Sequence, residues 1–511
     1  MKLNYKKTIF VGFAFFLISL FWQAYDTIIP KILTDKFGMS QFWSGAIMAF
    51  DNILALFLLP LFGTLSDRHK GKRGRRTPFI LIGTIIAAVA FVGLSFADNA
   101  QLSRLDKISA VVDSDSEGYA EAMGNLYDSD VEITVDGKTA RLSELFESRE
   151  DFVALSDEDE DYAKYVTPAR QAYAADTVNA SPSALILFIS LLMVVLLSMA
   201  TFRSPAVALM PDVTPKPLRS KANAIINLMG TFGGIIVLIM GIVFGTGKPQ
   251  NSLMNYVPFF GVVACLMIAA LVVFLLRVNE PRLVREMHEE SRLHGIEEDG
   301  EEEQISSGKL SRDKMISLIF ILASVVFWFM GYNAVTSKYS VYAGEVLRLD
   351  YNLTLILAQA AAVVAYIPVG IVASKIGRKK TILAGVLFLA SAFFLASFMK
   401  AGCNIWLANF IFILAGVGWA TINVNSYPMV VELSSSGNVG KYTGFYYTAS
   451  MAAQTVTPML SGFFLDNVGM RTLFPYATVF VCLAFVTMLF VRHGDSRPIP
   501  AKNKLDAFDV D

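Results

Sequence analysis

The chain has 511 residues, 54% of them hydrophobic and 17% charged, with a formal net charge of −1. Soluble globular proteins carry about 25% charged residues, so this composition excludes an ordinary water-soluble domain. The near-zero net charge averages an acidic loop against basic turns, so by itself it names no partner, and no nucleic-acid partner is expected.

Lys2, Lys6 and Lys7 precede an apolar run from Thr8 to Tyr25. That run is too long for the core of a signal peptide, and no small-residue cleavage pattern follows it. It is read as the first spanning helix. A span needs about 20 predominantly apolar residues, and twelve segments qualify. The first six cover 8–33, 41–66, 78–97, 183–210, 222–246 and 254–276. The second six cover 314–337, 351–373, 381–400, 404–431, 442–465 and 471–491. The expected fold is therefore an all-α integral membrane protein of two six-helix bundles, 1–97 with 183–276 and 314–492.

Two hydrophilic segments interrupt the pattern. Residues 98–182 hold 20 acidic and seven basic residues. Within them, Val131 to Leu142 alternates around Asp136-Gly137 and predicts a β-hairpin. The acidic run Asp157 to Asp161 argues against a large core, so the insert is expected to be either a small cap over one mouth of the protein or a disordered surface loop. Residues 277–313, with the acidic run Glu297 to Glu303, read as a solvated linker between the halves, and 493–511 as a tail. Cys265, Cys403 and Cys482 lie in or beside apolar segments and, being odd in number, suggest no disulfide framework.

Basic residues collect at Arg68 to Arg76, at Lys216, Arg219 and Lys221, at Lys375 to Lys380, and at Arg492 and Arg497. Loops rich in Lys and Arg stay in the cytoplasm. All these groups fall inside together if both termini are cytoplasmic, which puts residues 98–182 outside the cell. The expected location is the plasma membrane, crossed many times by a monomer in contact with its lipids.

A turn recurs after the second and eighth spans. Gly63-Thr64-Leu65-Ser66-Asp67-Arg68 with Gly74-Arg75-Arg76 returns as Gly370, Ser374-Lys375 and Gly377-Arg378-Lys379-Lys380. It resembles the loop signature of the major facilitator superfamily. Arg75 to Gly83, and Pro211-Asp212 with Arg219-Ser220-Lys221-Ala222-Asn223, further resemble the sucrose-transporter-like branch and the glycoside–pentoside–hexuronide:cation symporters. The resemblance covers the membrane segments but not residues 98–182. It implies two pseudo-symmetric lobes, no enzymatic activity and no cofactor, and uptake of a sugar or glycoside coupled to protons or sodium. The turn suits a cytoplasmic gate: Asp67 could face a helix N-terminus of the opposite lobe. Arg68, Arg75, Arg76 and Arg378 could pair with carboxylates or anionic lipid head groups. Asp212 and Glu432 are read as gate or loop-pairing residues.

Ionisable residues inside spans are costly and therefore candidates for function. Asp26, with Ser19, Trp22 and Gln23, makes a polar–aromatic stripe on the first span. Asp51 lies on the second, and Arg203 on the fourth, two residues before Pro205. Asp26 and Asp51 are the candidate cation-coupling groups. In the melibiose-type symporters of the resembled branch, an aspartate used for sugar stands where Arg203 stands, and an Asp-x-x-x-Asp pair that binds sodium stands where Ala55 and Leu59 stand. That departure favours protons over sodium and leaves the sugar contacts open. Arg203 could neutralise Asp26 or Asp51, bind an anionic solute such as a uronide, or only pin the lobes. Asn223 and Asn227, Tyr332 and Asn333, Gln359, Trp419 and Asn423, and Tyr446 and Gln454 provide hydrogen bonds and ring faces on five further spans, as a sugar requires. Singly, each also serves as an interhelical hydrogen bond. His69, His288, His294 and His493 fall in loops or at an end, which gives no buried histidine relay. No nucleotide-binding loop, metal cluster or nucleophile arrangement is present. Three functions remain: a proton-coupled sugar symporter, a carrier of an anionic or amphiphilic solute (an organic anion or a lysolipid), or a non-transporting receptor that uses the acidic insert.

Overall fold

The computed structural model describes residues 3–135, 137–215, 218–293, 312–431, 433 and 439–494. Twelve long helices run through them. The first three are α1 (Tyr5–Lys31), α2 (Gln41–Arg68) and α3 (Thr77–Leu102). After the insert, with its short helices α4 (Tyr119–Asp128), α5 (Leu142–Leu145), α6 (Arg149–Val153) and α7 (Thr167–Ala180), come α8 (Ser183–Asp212), α9 (Arg219–Phe244) and α10 (Val257–Arg277). A connecting helix, α11 (Glu280–Leu293), precedes α12 (Arg312–Tyr342), α13 (Tyr351–Ile376), α14 (Arg378–Ala396), α15 (Ile405–Val431), α16 (Val439–Val468) and α17 (Leu473–Leu489). Ten of the twelve are long and apolar enough to cross a membrane by length and composition. Of the other two, α13 has a shorter apolar stretch, Tyr351–Tyr366, and α16 is diluted by Thr, Ser and Gln.

The packing pairs define two lobes. In the first, α1 packs on α9 and α10, α3 on α8 and α10, and α2 on α8. In the second, α12 packs on α16 and α17, α14 on α15 and α17, and α13 on α15. One set maps onto the other when the six helices of each lobe are matched in order, so the lobes are pseudo-symmetric. Each has its own apolar core, around Leu20, Phe91 and Phe260 in the first and Trp328, Leu389 and Phe474 in the second. The cross-lobe pairs obey the same symmetry: α2 meets α16, and α9 meets α13. α1 and α12 each run on into a π-helical turn, Ile32–Lys36 and Ala343–Leu347. Such turns are rare and recur at functional sites.

The lobes close on one side. A Cβ on Gly45 would lie 2.0 Å from the Pro458 carbonyl oxygen, and one on Gly462 2.2 Å from that of Gln41, so only glycine lets α2 and α16 approach there. The Asp466 carboxylate of α16 accepts from the backbone N–H groups of Gln41 and Phe42, both at 2.7 Å, capping α2 from the opposite lobe. The negative charge also suits the positive end of the helix dipole. Buried Lys338 of α12 donates to the Gln41 carbonyl at 2.6 Å. These inter-lobe hydrogen bonds, with those of Gln171 to Glu345, Thr246 to Tyr351 and Asn352, and Gln359 to Gln23, lie between the mid-membrane level and this insert-bearing face.

The insert is an ordered cap with a core of its own. Leu105, Ile108, Val111, Met123, Leu126, Phe152, Tyr162 and Val166 are buried together, joined by Leu253 from the α9–α10 connection. The predicted hairpin forms as β1 (Glu132–Val135) antiparallel to β2 (Lys138–Arg141). Gly137 takes a φ of +76° in its turn, which a side-chain-bearing residue adopts with strain. The apolar residues of this cap are thinly spread among acids, and Leu253 lies 79 residues beyond Ala174, the nearest other buried member, so no single window shows the core.

Candidate functional site

At mid-membrane, α1 presents Ser19, Trp22, Gln23 and Asp26 along one half-buried stripe. Arg203 on α8 places its guanidinium 5.3 Å from the Trp22 ring centre and lies within electrostatic reach of both Asp26 and Asp51. Asn52 Nδ2 donates to Asp51 Oδ1 at 2.9 Å. A cleft of about 230 Å³ is lined by Trp22, Asp51, Ala55, Leu59, Leu196, Ala200 and Arg203. The structure thus brings the three intramembrane charges chosen from sequence into one cluster, with Ala55 and Leu59 beside Asp51.

Among the described residues, the cleft is lined from the first lobe alone; the second lobe contributes further polar and aromatic groups nearby. Gln359 of α13 donates to Gln23 Oε1 across the lobes at 2.6 Å. Gly234 lies against both amides, where a Cβ would sit 3.3 and 3.4 Å from their oxygens. Tyr332 of α12 and Trp419 of α15 stack with centroids 3.6 Å apart and planes 3° from parallel, and Tyr332 lies within electrostatic reach of Asp26. Asn423 of α15 is exposed and lies near Tyr366 of α13. Trp22 Nε1 and Asn333 Nδ2 are buried donors with no acceptor among the described residues.

Other candidates lie elsewhere. Tyr446 shares a 2.9 Å hydrogen bond with Ser426 inside the second lobe. Gln454 donates to the Ser450 carbonyl of its own helix at 3.3 Å. Ser19 packs against Gly230, and Asn227 is exposed on α9. The side chain of Asn223 and all of Glu432 lie outside the described residues.

The basic turn is a second cluster, on the opposite face from the insert. Arg76 is buried and reaches Asp67 at 2.5 Å, Ser66 Oγ at 2.5 Å and Asp212 at 2.8 Å. Arg75 pairs with Asp212 at 2.6 Å. Arg68 is exposed at the end of α2, and Arg378 opens α14. Asp67 therefore pairs within its own lobe in this structure; a cross-lobe helix cap is made on the other face by Asp466. The turn also has a centre that the sequence reading missed. Glu280, buried at the start of α11, accepts from the backbone N–H groups of Arg75, Arg76 and Thr77 and from the Thr77 hydroxyl at 2.7–3.1 Å. It caps α3 from a different helix, and only its position just after a span-ending Arg277 could have marked it. Hydrogen bonds to a charged group contribute roughly 1.5–3 kcal/mol. Glu280→Ala is expected to lower the melting temperature by several degrees, with Glu280→Gln intermediate. An unchanged melting temperature would contradict this capping role.

Two pseudo-symmetric helical lobes, with charges and ring faces gathered between them at mid-membrane, define a membrane transporter rather than an enzyme. The family model described as Major Facilitator Superfamily matches residues 172–363 and 348–508, and the chain belongs to that superfamily. Residues 10–111 match the model described as MFS/sugar transport protein. Among solved structures, the inward-open xylose transporter XylE from E. coli is similar at 14% identity, covering 97% of this chain and 98% of its own, with a TM-score of 0.58. A POT family transporter in complex with 5-aminolevulinic acid aligns at 10% identity over 95% and 96%, with a TM-score of 0.62. The nucleoside transporter NupG aligns at 11% over 95% and 100%, with a TM-score of 0.56. At these identities the likeness is one of fold.

Proposed function

We propose that the chain is a symporter that carries a sugar or glycoside together with protons by alternating access. The observation that carries this reading is the inter-lobe Gln23–Gln359 hydrogen bond, set at mid-membrane between the Asp26–Asp51–Arg203 cluster and the stacked Tyr332–Trp419 pair. Ring faces pack on a sugar ring, and amides bond its hydroxyls. Trp22 Nε1 and Asn333 Nδ2 would find acceptors in the same cargo. The charges are suited to protons: two of the residues lining the cleft with Asp51 are Ala55 and Leu59, whereas hard cations take several oxygen ligands. The positive-inside rule places the basic turn and both termini in the cytoplasm. The inter-lobe bonds on the insert side, such as Asp466 to Gln41 and Gln171 to Glu345, support reading this state as closed to the outside.

Purified protein in liposomes is expected to accumulate a labelled disaccharide under an inward proton gradient and to support counterflow without one. Trp419→Ala removes half of the ring platform and is expected to weaken apparent affinity about tenfold, from an aromatic contribution of ~0.5–1.5 kcal/mol plus lost burial. A carrier that shows neither gradient dependence nor counterflow with any sugar would overturn the reading. A second reading, a carrier of an anionic solute, rests on Arg203 in the cleft wall.

A further inference from the structure

We propose that the insert is a strap that holds its own mouth of the transporter shut, with Gln171 and Tyr162 as the clasp on the second lobe. The proposal rests on the alternating-access reading above. Both ends of the insert are covalently continuous with the first lobe, through α3 and α8. It is also fastened there without covalent bonds. Arg170 of α7, buried, donates to Asp35 at 3.0 Å and to Ser252 at 3.2 Å, and Leu253 enters the insert core. The insert therefore travels with the first lobe.

Its reach across to the second lobe is of a different kind. Gln171, next to Arg170, donates to Glu345 Oε1 at 2.7 Å. The guanidinium of Arg348 sits 4.4 Å from the ring centre of Tyr162, whose hydroxyl is fixed to the Val111 carbonyl at 2.6 Å. Arg348 holds a φ of +54° to make this approach, a backbone conformation that a non-glycine residue keeps only when its surroundings enforce it. The two acids gripped by adjacent residues of α7 are pseudo-equivalent: Asp35 lies in the π-turn that ends α1, and Glu345 in the π-turn that ends α12. One residue anchors the strap and its neighbour closes it. Separating the lobes at this mouth must break the Gln171–Glu345 bond and the Tyr162–Arg348 contact, while Arg170–Asp35 can persist.

The test reads the mouth directly, without cargo. Spin labels at Gln250 in the first lobe and Ala401 in the second, both exposed at this face, report the separation by pulsed electron resonance once Cys265, Cys403 and Cys482 are replaced. Gly45→Trp supplies the open reference, because no side chain fits between Gly45 and Pro458. Loss of a hydrogen bond to a carboxylate is expected to raise the open-to-closed ratio about tenfold in Gln171→Ala. Arg348→Ala should act in the same direction. Gln171→Glu should open the mouth further, since it sets a second carboxylate against Glu345. If Gly45→Trp lengthens the distance but all three clasp variants keep the wild-type distribution, the strap is overturned. If Gly45→Trp leaves the distance unchanged as well, the alternating-access reading falls together with the strap.

Discussion

Asp51→Asn is expected to abolish proton-driven accumulation of cargo while sparing counterflow. The amide keeps the size of the carboxylate and the oxygen that accepts from Asn52 at 2.9 Å, so the wall of the cleft is preserved. What is lost is a group that can be charged in one half of the cycle and neutral in the other. A gradient of one pH unit is worth about 1.36 kcal/mol, which sustains at most about tenfold accumulation for one proton per cargo. The variant should bring cargo only to equal concentrations on the two sides, and reach that point at a rate within a few-fold of wild type. Uptake into liposomes with and without an imposed gradient measures both quantities. If Asp51→Asn still concentrates cargo, the coupling role passes to Asp26, the other carboxylate within reach of Arg203, and Asp26→Asn should then show the uncoupled behaviour.

The helices and the central charges were legible because each leaves a local mark. Twenty apolar residues in a row admit few alternatives in water, and an Asp or Arg among them stands out at once. The ends of the helices were less legible. α1 and α12 continue through π-turns to Lys36 and Leu347, beyond the apolar windows drawn to 33 and 337, so Lys36, Lys338 and Glu345 fall outside the predicted spans. Lys36 is fully buried against Asp98 at 2.7 Å, and Lys338 bonds across the lobes. Such charges become visible only when the partner's position in space is known. Glu280 and Asp466 illustrate the same limit: each caps a helix 203 and 425 residues away in sequence, and nothing in a local window distinguishes them from solvated acids. In this structure Asp67 pairs with Arg76 of its own lobe, while Asp466 makes a cross-lobe helix cap on the opposite face.

Arg203→Gln is the substitution whose result decides between the two classes of cargo. Half-buried at mid-membrane, Arg203 is the counter-charge within reach of both Asp26 and Asp51; removing one partner of a fully buried ionic group costs about 3–5 kcal/mol, and a half-buried one less. The variant should therefore be less stable without cargo unless a carboxylate takes up a proton, which for a proton-coupled sugar carrier mimics the loaded state. Binding of a neutral glycoside, read as a ligand-induced rise in melting temperature, should then stay within about threefold of wild type at acidic pH while gradient dependence is lost. A carrier of anions behaves in the opposite way. The guanidinium would be the group that recognises the cargo's carboxylate, and its loss should weaken uronide binding about a hundredfold, a direct charge-assisted contact being worth ~1.5–3 kcal/mol. Arg203→Lys separates charge from geometry: an ammonium still neutralises Asp26 and Asp51 but lacks the planar fork that grips a carboxylate with two parallel bonds. Sugar transport should survive that change and anion transport should not, because Arg203 serves the first only as a charge and the second as a shape.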